Sequence, residues 1–146
     1  MQPTPVPAAV LIVDDDEGIR ELLRQWCEDL GYHAYPAADA EQALALMERV
    51  PIQSAICDVR LGHRSGLWLA DEIRTRHPGI GIVFATGLSE LDPAITLSPH
   101  VVGYLVKPFS RRRFAAALES ASLWAGEATI LRQRQLSGPV VDGEVC

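Results

Sequence analysis

Cysteine is scarce in this chain and follows no pattern. Cys27, Cys57 and Cys146 are odd in number, scattered and without metal-ligand spacing, which excludes a disulfide framework and reads as reduced thiols of a cytoplasmic protein. No apolar run is long enough to span a membrane, and the opening MQPTPVP lacks the basic flank and apolar core of a signal peptide. Basic charge is not in excess: 19 acidic residues face 13 basic ones, for a net charge of -6. That balance argues against direct nucleic-acid binding and against an anionic membrane surface. Internal repeats and low-complexity tracts are absent as well. What remains is ordinary for a globular protein, with 48% hydrophobic and 22% charged residues in 146. A chain of that length makes one domain that buries roughly two-thirds of its unfolded surface.

The stretch Val10–Gly18, VLIVDDDEG, organises the rest. A β-branched apolar run with the length of a buried strand stops at Asp14, Asp15 and Asp16. Ligands of open α/β sheets bind at the carboxyl ends of the strands. Carboxylates crowded there repel one another unless a cation sits among them, and Mg²⁺ prefers such oxygen ligands. The alternative is a solvated acidic turn that caps the next helix. Upstream, residues 1–8 carry three prolines and read as an extended arm.

Downstream, Ile19, Leu22, Leu23, Trp26, Cys27 and Leu30 recur at helical spacing and Gly31 closes the helix. A second strand is expected around His33–Pro36, and Asp39 with Gln42 forms a capping box for a helix that ends before Pro51. A third strand covers Ser54–Val59 and carries Asp58. Ser65 caps a helix over Gly66–His77. Strands four and five cover Gly81–Thr86 and Val101–Val106, the latter followed by Lys107 and Pro108. A last helix buries Phe114, Ala117, Leu118 and Ala121. His33, His63, His77 and His100 show no ligand spacing. Strands alternating with helices on short connections predict an α/β fold with a parallel sheet doubly wound by helices.

In that frame Asp14, Asp15, Asp58, Thr86 and Lys107 all stand at carboxyl ends of strands and face one rim of the sheet. Together with Pro108 and Phe109, this set resembles the receiver domain of two-component response regulators. The resemblance spans about Val10 to Leu123, and its most specific parts are Lys107–Pro108–Phe109 and the interval from Asp58 to Gly66. It implies a flavodoxin-like, five-stranded parallel sheet in the order 2-1-3-4-5. It also implies a stand-alone signalling protein that is not a turnover enzyme, with the receiver over residues 9–125 and a C-terminal extension or tail over 126–146, where EATILRQRQL can extend the last helix, too short for an output domain.

The implied roles are specific. Asp58 would accept a phosphoryl group from a sensor histidine kinase or a histidine phosphotransfer protein. Asp15, Asp58 and the main-chain carbonyl of Arg60 would ligate Mg²⁺, with Asp14 acting through a water. Lys107 would balance charge on the phosphoryl oxygens, and Thr86 would donate its hydroxyl to one of them. In the family that bond draws the loop after strand four inward and lets the aromatic on strand five, here Tyr104, turn inward. The shape change would pass to a downstream protein, with a homodimer as one option.

The chain departs from the family pattern in places. Gly62 stands where proline is usual and points to a looser loop, and Arg60 and Leu88 occupy positions that tune loss of the phosphoryl group. Pro93 and Pro99 allow only a short fourth helix, about Pro93–Leu97. Arg111–Arg113 open the last helix against its dipole, which reads as a partner surface or as a solvated basic face. Two other functions fit parts of the pattern. A receiver-shaped interaction module would bind partners without phosphorylation. A small haloacid-dehalogenase-like phosphatase also uses a strand-end aspartate, and Asp14 and Asp16 have its spacing; Gly18 stands where that motif has Thr or Val, and no late acidic pair follows Lys107.

Overall fold

The computed structural model describes residues 8–87 and 101–136, with 126–136 as backbone alone. In chain order the elements are β1 (Ala9–Val13), α1 (Glu17–Asp29), β2 (His33–Ala37), α2 (Ala40–Met47), β3 (Ser54–Asp58), β4 (Arg60–Leu61), β5 (Arg64–Ser65), α3 (Gly66–Arg76), β6 (Gly81–Thr86), β7 (Val101–Val106) and α4 (Arg111–Leu136). Five strands form one parallel sheet in the order β2-β1-β3-β6-β7. This is the expected 2-1-3-4-5 order once the small hairpin β4–β5 is set aside.

Side-chain alternation sorts the core into two layers. Leu11, Val13, Ala55, Cys57, Ile82 and Phe84 face α2 and α3, where Ala43, Leu44, Leu69 and Ile73 meet them. Val10, Ile12, Ile56, Val83 and Ala85 face α1 and α4, where Leu23, Cys27, Phe114, Leu118 and Ala121 pack. Every residue of β1, β3 and β6 is buried, as expected where helices cover both faces of a parallel sheet. Burial pushes the thiols of Cys27 and Cys57 up to about 12, which keeps them protonated and inert.

Local chemistry sets the helix ends. The Asp16 carboxylate accepts from Ile19 N at 3.0 Å, Asp39 from Gln42 N at 2.8 Å and the Ser65 hydroxyl from Trp68 N at 3.1 Å. Gln42 returns its side chain to Ala38 N at 2.9 Å, one residue before the cap. At the end of α1, Gly31 takes φ +91° while Tyr32 N donates to Cys27 O and Gly31 N to Glu28 O. This left-handed stop satisfies the last carbonyls at no Cβ cost.

Two expectations change. Leu22 and Leu30, assigned to the buried stripe of α1, are exposed, because only Leu23 and Cys27 lie squarely over the sheet. The loop after Asp58 is closed by the β4–β5 hairpin, with Gly62 at φ +78° in its turn, so the glycine permits a tight reversal in place of slack. The last helix runs on without a break from Arg111 to Leu136, into the C-terminal extension. The arm over residues 1–7, the short helix around Pro93–Leu97, Leu88 and the end of the tail lie outside the described residues.

Phe114 is fully buried between Trp26 and Phe109, at ring separations of 5.5 and 6.3 Å. Phe114→Ala is expected to lower the unfolding free energy by about 3–5 kcal/mol, read from urea denaturation.

Candidate functional site

The carboxyl ends of β1, β3 and β7 bring Asp14, Asp58 and Lys107 together. Asp14 and Asp58 are buried, and the Lys107 ammonium lies 2.9 Å from Asp14 Oδ2 and 2.9 Å from Asp58 Oδ2. The remaining oxygens are also engaged. Asp14 Oδ1 accepts from Asp16 N at 2.9 Å, and Asp58 Oδ1 accepts from Arg60 N at 3.1 Å. Asp15 is exposed beside them, and one carboxylate oxygen from each of Asp14, Asp15 and Asp58 falls within 4.8 Å of the others.

Burial pulls the Lys107 ammonium towards its neutral form. The hydrogen bonds and charges of Asp58 and Asp14 outweigh that pull, so the amine titrates above the ordinary lysine value. Three acidic oxygens on two strand ends form a hard donor set suited to a divalent cation that keeps part of its water shell.

The surrounding backbone holds this arrangement. Asp14 N donates to Ala37 O at 3.2 Å, and the Arg20 guanidinium donates to Asp14 O at 2.7 Å. A Cβ added at Gly66 would lie 2.0 Å from Asp58 O, so only glycine lets α3 start against the end of β3. The spacing from Asp58 to Gly66 marks this position in the sequence, whereas nothing there assigned a contact to Arg20.

Residues 10–119 match the family described as the response regulator receiver domain. The chain belongs to that family. The alginate biosynthesis transcriptional regulatory protein AlgB of Pseudomonas aeruginosa is 35% identical over 133 residues, a span that covers 85% of this chain and 30% of AlgB. The transcriptional regulatory protein AruR of the same organism is 35% identical over 113 residues, covering 73% of this chain and 46% of AruR. The chain thus spans less than half the length of either relative. A CheY-like receiver domain from Methanospirillum hungatei matches with a TM-score of 0.77 at 26% identity, covering 84% of this chain and 98% of that one. The receiver domain of NtrX from Brucella abortus matches with a TM-score of 0.73 at 29% identity, over 78% and 98%. Membership of this family sets the phosphatase alternative aside.

Within this receiver, Thr86 is fully buried at the end of β6 and directs its hydroxyl to Gly87 O at 3.3 Å. Lys107 N donates to Thr86 O at 2.8 Å, which ties the two strand ends together. Tyr104 pairs in register with Phe84 but stands outward, 44% exposed. Lys107 and Pro108 are joined by a cis peptide bond. Beside them Ile19, Leu22, Leu23, Trp26, Pro108 and Phe109, with Lys107, line an apolar groove of about 380 Å³. At the start of α4, the Ser110 hydroxyl accepts from Arg113 N at 3.1 Å, and Arg111 meets Asp29 at 3.5 Å. Among the described residues no helix is long and apolar enough to cross a membrane.

Because the folded-state amine lies above 10.5, the Lys107 contribution to stability is complete below that pH and is lost as pH rises through the folded value. Lys107→Met is therefore expected to unfold more easily at neutral pH and to show a flatter alkaline stability limb than wild type, measured by urea titration between neutral pH and pH 11.

Proposed function

We propose that this chain is a phosphoacceptor switch in a two-component pathway, with Asp58 as the acceptor. The observation that carries the reading is the Lys107 ammonium bridging two buried carboxylates at the rim, with a third carboxylate beside them. The donor is a phosphohistidine on a sensor kinase or a phosphotransfer protein. An Asp58 oxygen forms the new bond to phosphorus as the bond from phosphorus to the imidazole nitrogen breaks. The electron pair of that bond leaves with the imidazole, and the product is an acyl phosphate on Asp58.

The transferring group spreads charge over its equatorial oxygens, so most of the protein's contribution is positioning and countercharge. Lys107 holds its amine at the Asp58 oxygen where that charge arrives. Asp15, Asp58 and the Arg60 carbonyl would hold Mg²⁺, with Asp14 reaching it through a water. The ion supplies positive charge to the phosphoryl oxygens when bound. Attack of water on phosphorus then forms a new O–P bond as the bond from phosphorus to Asp58 breaks, which releases inorganic phosphate, restores the carboxylate and resets the protein.

The Thr86 hydroxyl, now on Gly87 O, is placed to exchange that weak bond for a phosphoryl oxygen. With Thr86 drawn in, the outward ring of Tyr104 gains a reason to turn inward, a two-state equilibrium biased by one modification. Output passes through protein contacts made by the receiver surface, in the cytoplasm. AlgB and AruR are named as transcriptional regulatory proteins; the downstream partner of this chain is proposed only as a protein.

The apolar groove beside Lys107 supports a protein donor. A phosphohistidine that reaches Asp58 must bring its own surface across Leu22, Trp26 and Phe109, which offer apolar area to a helix.

Intact-mass analysis after incubation with a small phosphodonor is expected to show a single Mg²⁺-dependent phosphoryl adduct that is absent in Asp58→Asn. Lack of an adduct in the wild type with both a small donor and a kinase donor would leave the unphosphorylated interaction module. Leu22→Asp is expected to slow transfer from a phosphohistidine protein by about tenfold or more, since a charge in an apolar contact costs more than 1.4 kcal/mol. Labelling by the small donor should remain as in wild type, which separates docking from chemistry.

A further inference from the structure

We propose that Arg20 is a positioning residue for the divalent-cation site, acting through the main chain of Asp14 to aim Asp15. The inference rests on the reading of Asp14, Asp15 and Asp58 as the Mg²⁺ donor set. Arg20 lies one turn into α1, where a cation opposes the helix dipole. That local cost is offset by what the side chain does. Its guanidinium turns back along the chain and donates to Asp14 O at 2.7 Å, while its own N–H stays in the helix on Asp16 O at 3.0 Å.

The three carboxylates are not equally anchored. Asp14 is fixed by Asp16 N and Lys107, and Asp58 by Arg60 N and Lys107. Asp15 is exposed, and among the described residues its carboxylate has no hydrogen-bond partner. Its direction is set by the peptide link that follows Asp14. The N–H of Asp14 is pinned to Ala37 O as a continuation of the β1–β2 ladder, and the C=O by Arg20. Removing Arg20 leaves the Asp14–Asp15 peptide plane free to turn about the Asp14 Cα, while the preceding peptide stays on Ala37 O, and carries the Asp15 carboxylate with it.

Two effects of Arg20 on a bound cation have opposite signs, and that makes the proposal decidable. As a charge, a guanidinium near three carboxylates competes with a dication, so its removal would tighten Mg²⁺. As a support for the ligand backbone, its removal weakens Mg²⁺, in the way that loss of an outer-shell partner costs metal sites about tenfold or more. The positioning role requires the second outcome.

The test is calorimetric titration of the full chain with Mg²⁺ alone, comparing wild type with Arg20→Gln, and with Arg20→Met should the glutamine variant not fold. Amide hydrogen exchange at Asp15 and Asp16 is followed in metal-free protein. The expected result is affinity for Mg²⁺ about tenfold weaker, with faster exchange at those two amides and a thermal midpoint close to wild type. Equal or tighter Mg²⁺ binding by the variant overturns the positioning role. Wild type that binds no Mg²⁺ overturns the metal reading itself, a failure distinct from that of Arg20.

Discussion

The Lys107 ammonium, 2.9 Å from a carboxylate oxygen of Asp14 and of Asp58, decides how the rim of this sheet can exist. Two buried carboxylates at neighbouring strand ends repel one another, and neither can be solvated well enough to offset it. A cation between them converts the repulsion into two charge-assisted hydrogen bonds and ties the end of β7 to β1 and β3. A buried ion pair of this kind adds little stability over an apolar replacement. What it does here is hold a charged amine between two strand-end carboxylates at a rim the strands keep rigid.

The parallel sheet makes that meeting possible. Parallel pairing places every strand's carboxyl end on one edge, and the order β2-β1-β3-β6-β7 sets β1 beside β3. Asp14 and Asp58 therefore end neighbouring strands although they lie far apart in sequence. Helices on both faces exclude water from β1, β3 and β6, so the site sits on a rigid base and leaves its adjustable parts in the loops above.

Those loops differ in how tightly they are held. The β1–α1 turn is pinned by Lys107, Arg20 and the hydrogen bond from Asp16 N, and the segment after Asp58 is folded back by the Gly62 turn with Gly66 against the end of β3. By contrast, among the described residues the Thr86 hydroxyl has only a 3.3 Å bond to its neighbour's carbonyl, and Tyr104 is 44% exposed. Firm anchors surround the carboxylates, while the β6–β7 side keeps contacts that are cheap to exchange. A switch needs both properties, since a modification shifts an equilibrium only where a second arrangement lies a few kcal/mol away.

Much of this was legible before any coordinates. Alternation, caps and breakers located the five sheet strands and the helices around them, because period, N-cap chemistry and proline act within a few residues of chain. The strand-end acids and Lys107 stood out because each interrupts an apolar run. Other features were not local. Leu22 and Leu30 share the stripe of Leu23 and Cys27, and only packing against a sheet of finite width left them outside. The hairpin after Asp58 depends on Gly66 passing within reach of the Asp58 carbonyl, and the grip of Arg20 on Asp14 depends on a side chain turning back against its own helix. Local sequence determined which segments become strands and helices and which residues end them. Tertiary structure alone decided which of those ends share one hydrogen-bonded cluster, because distances across a sheet follow from strand order and close packing, and neither is encoded within one segment.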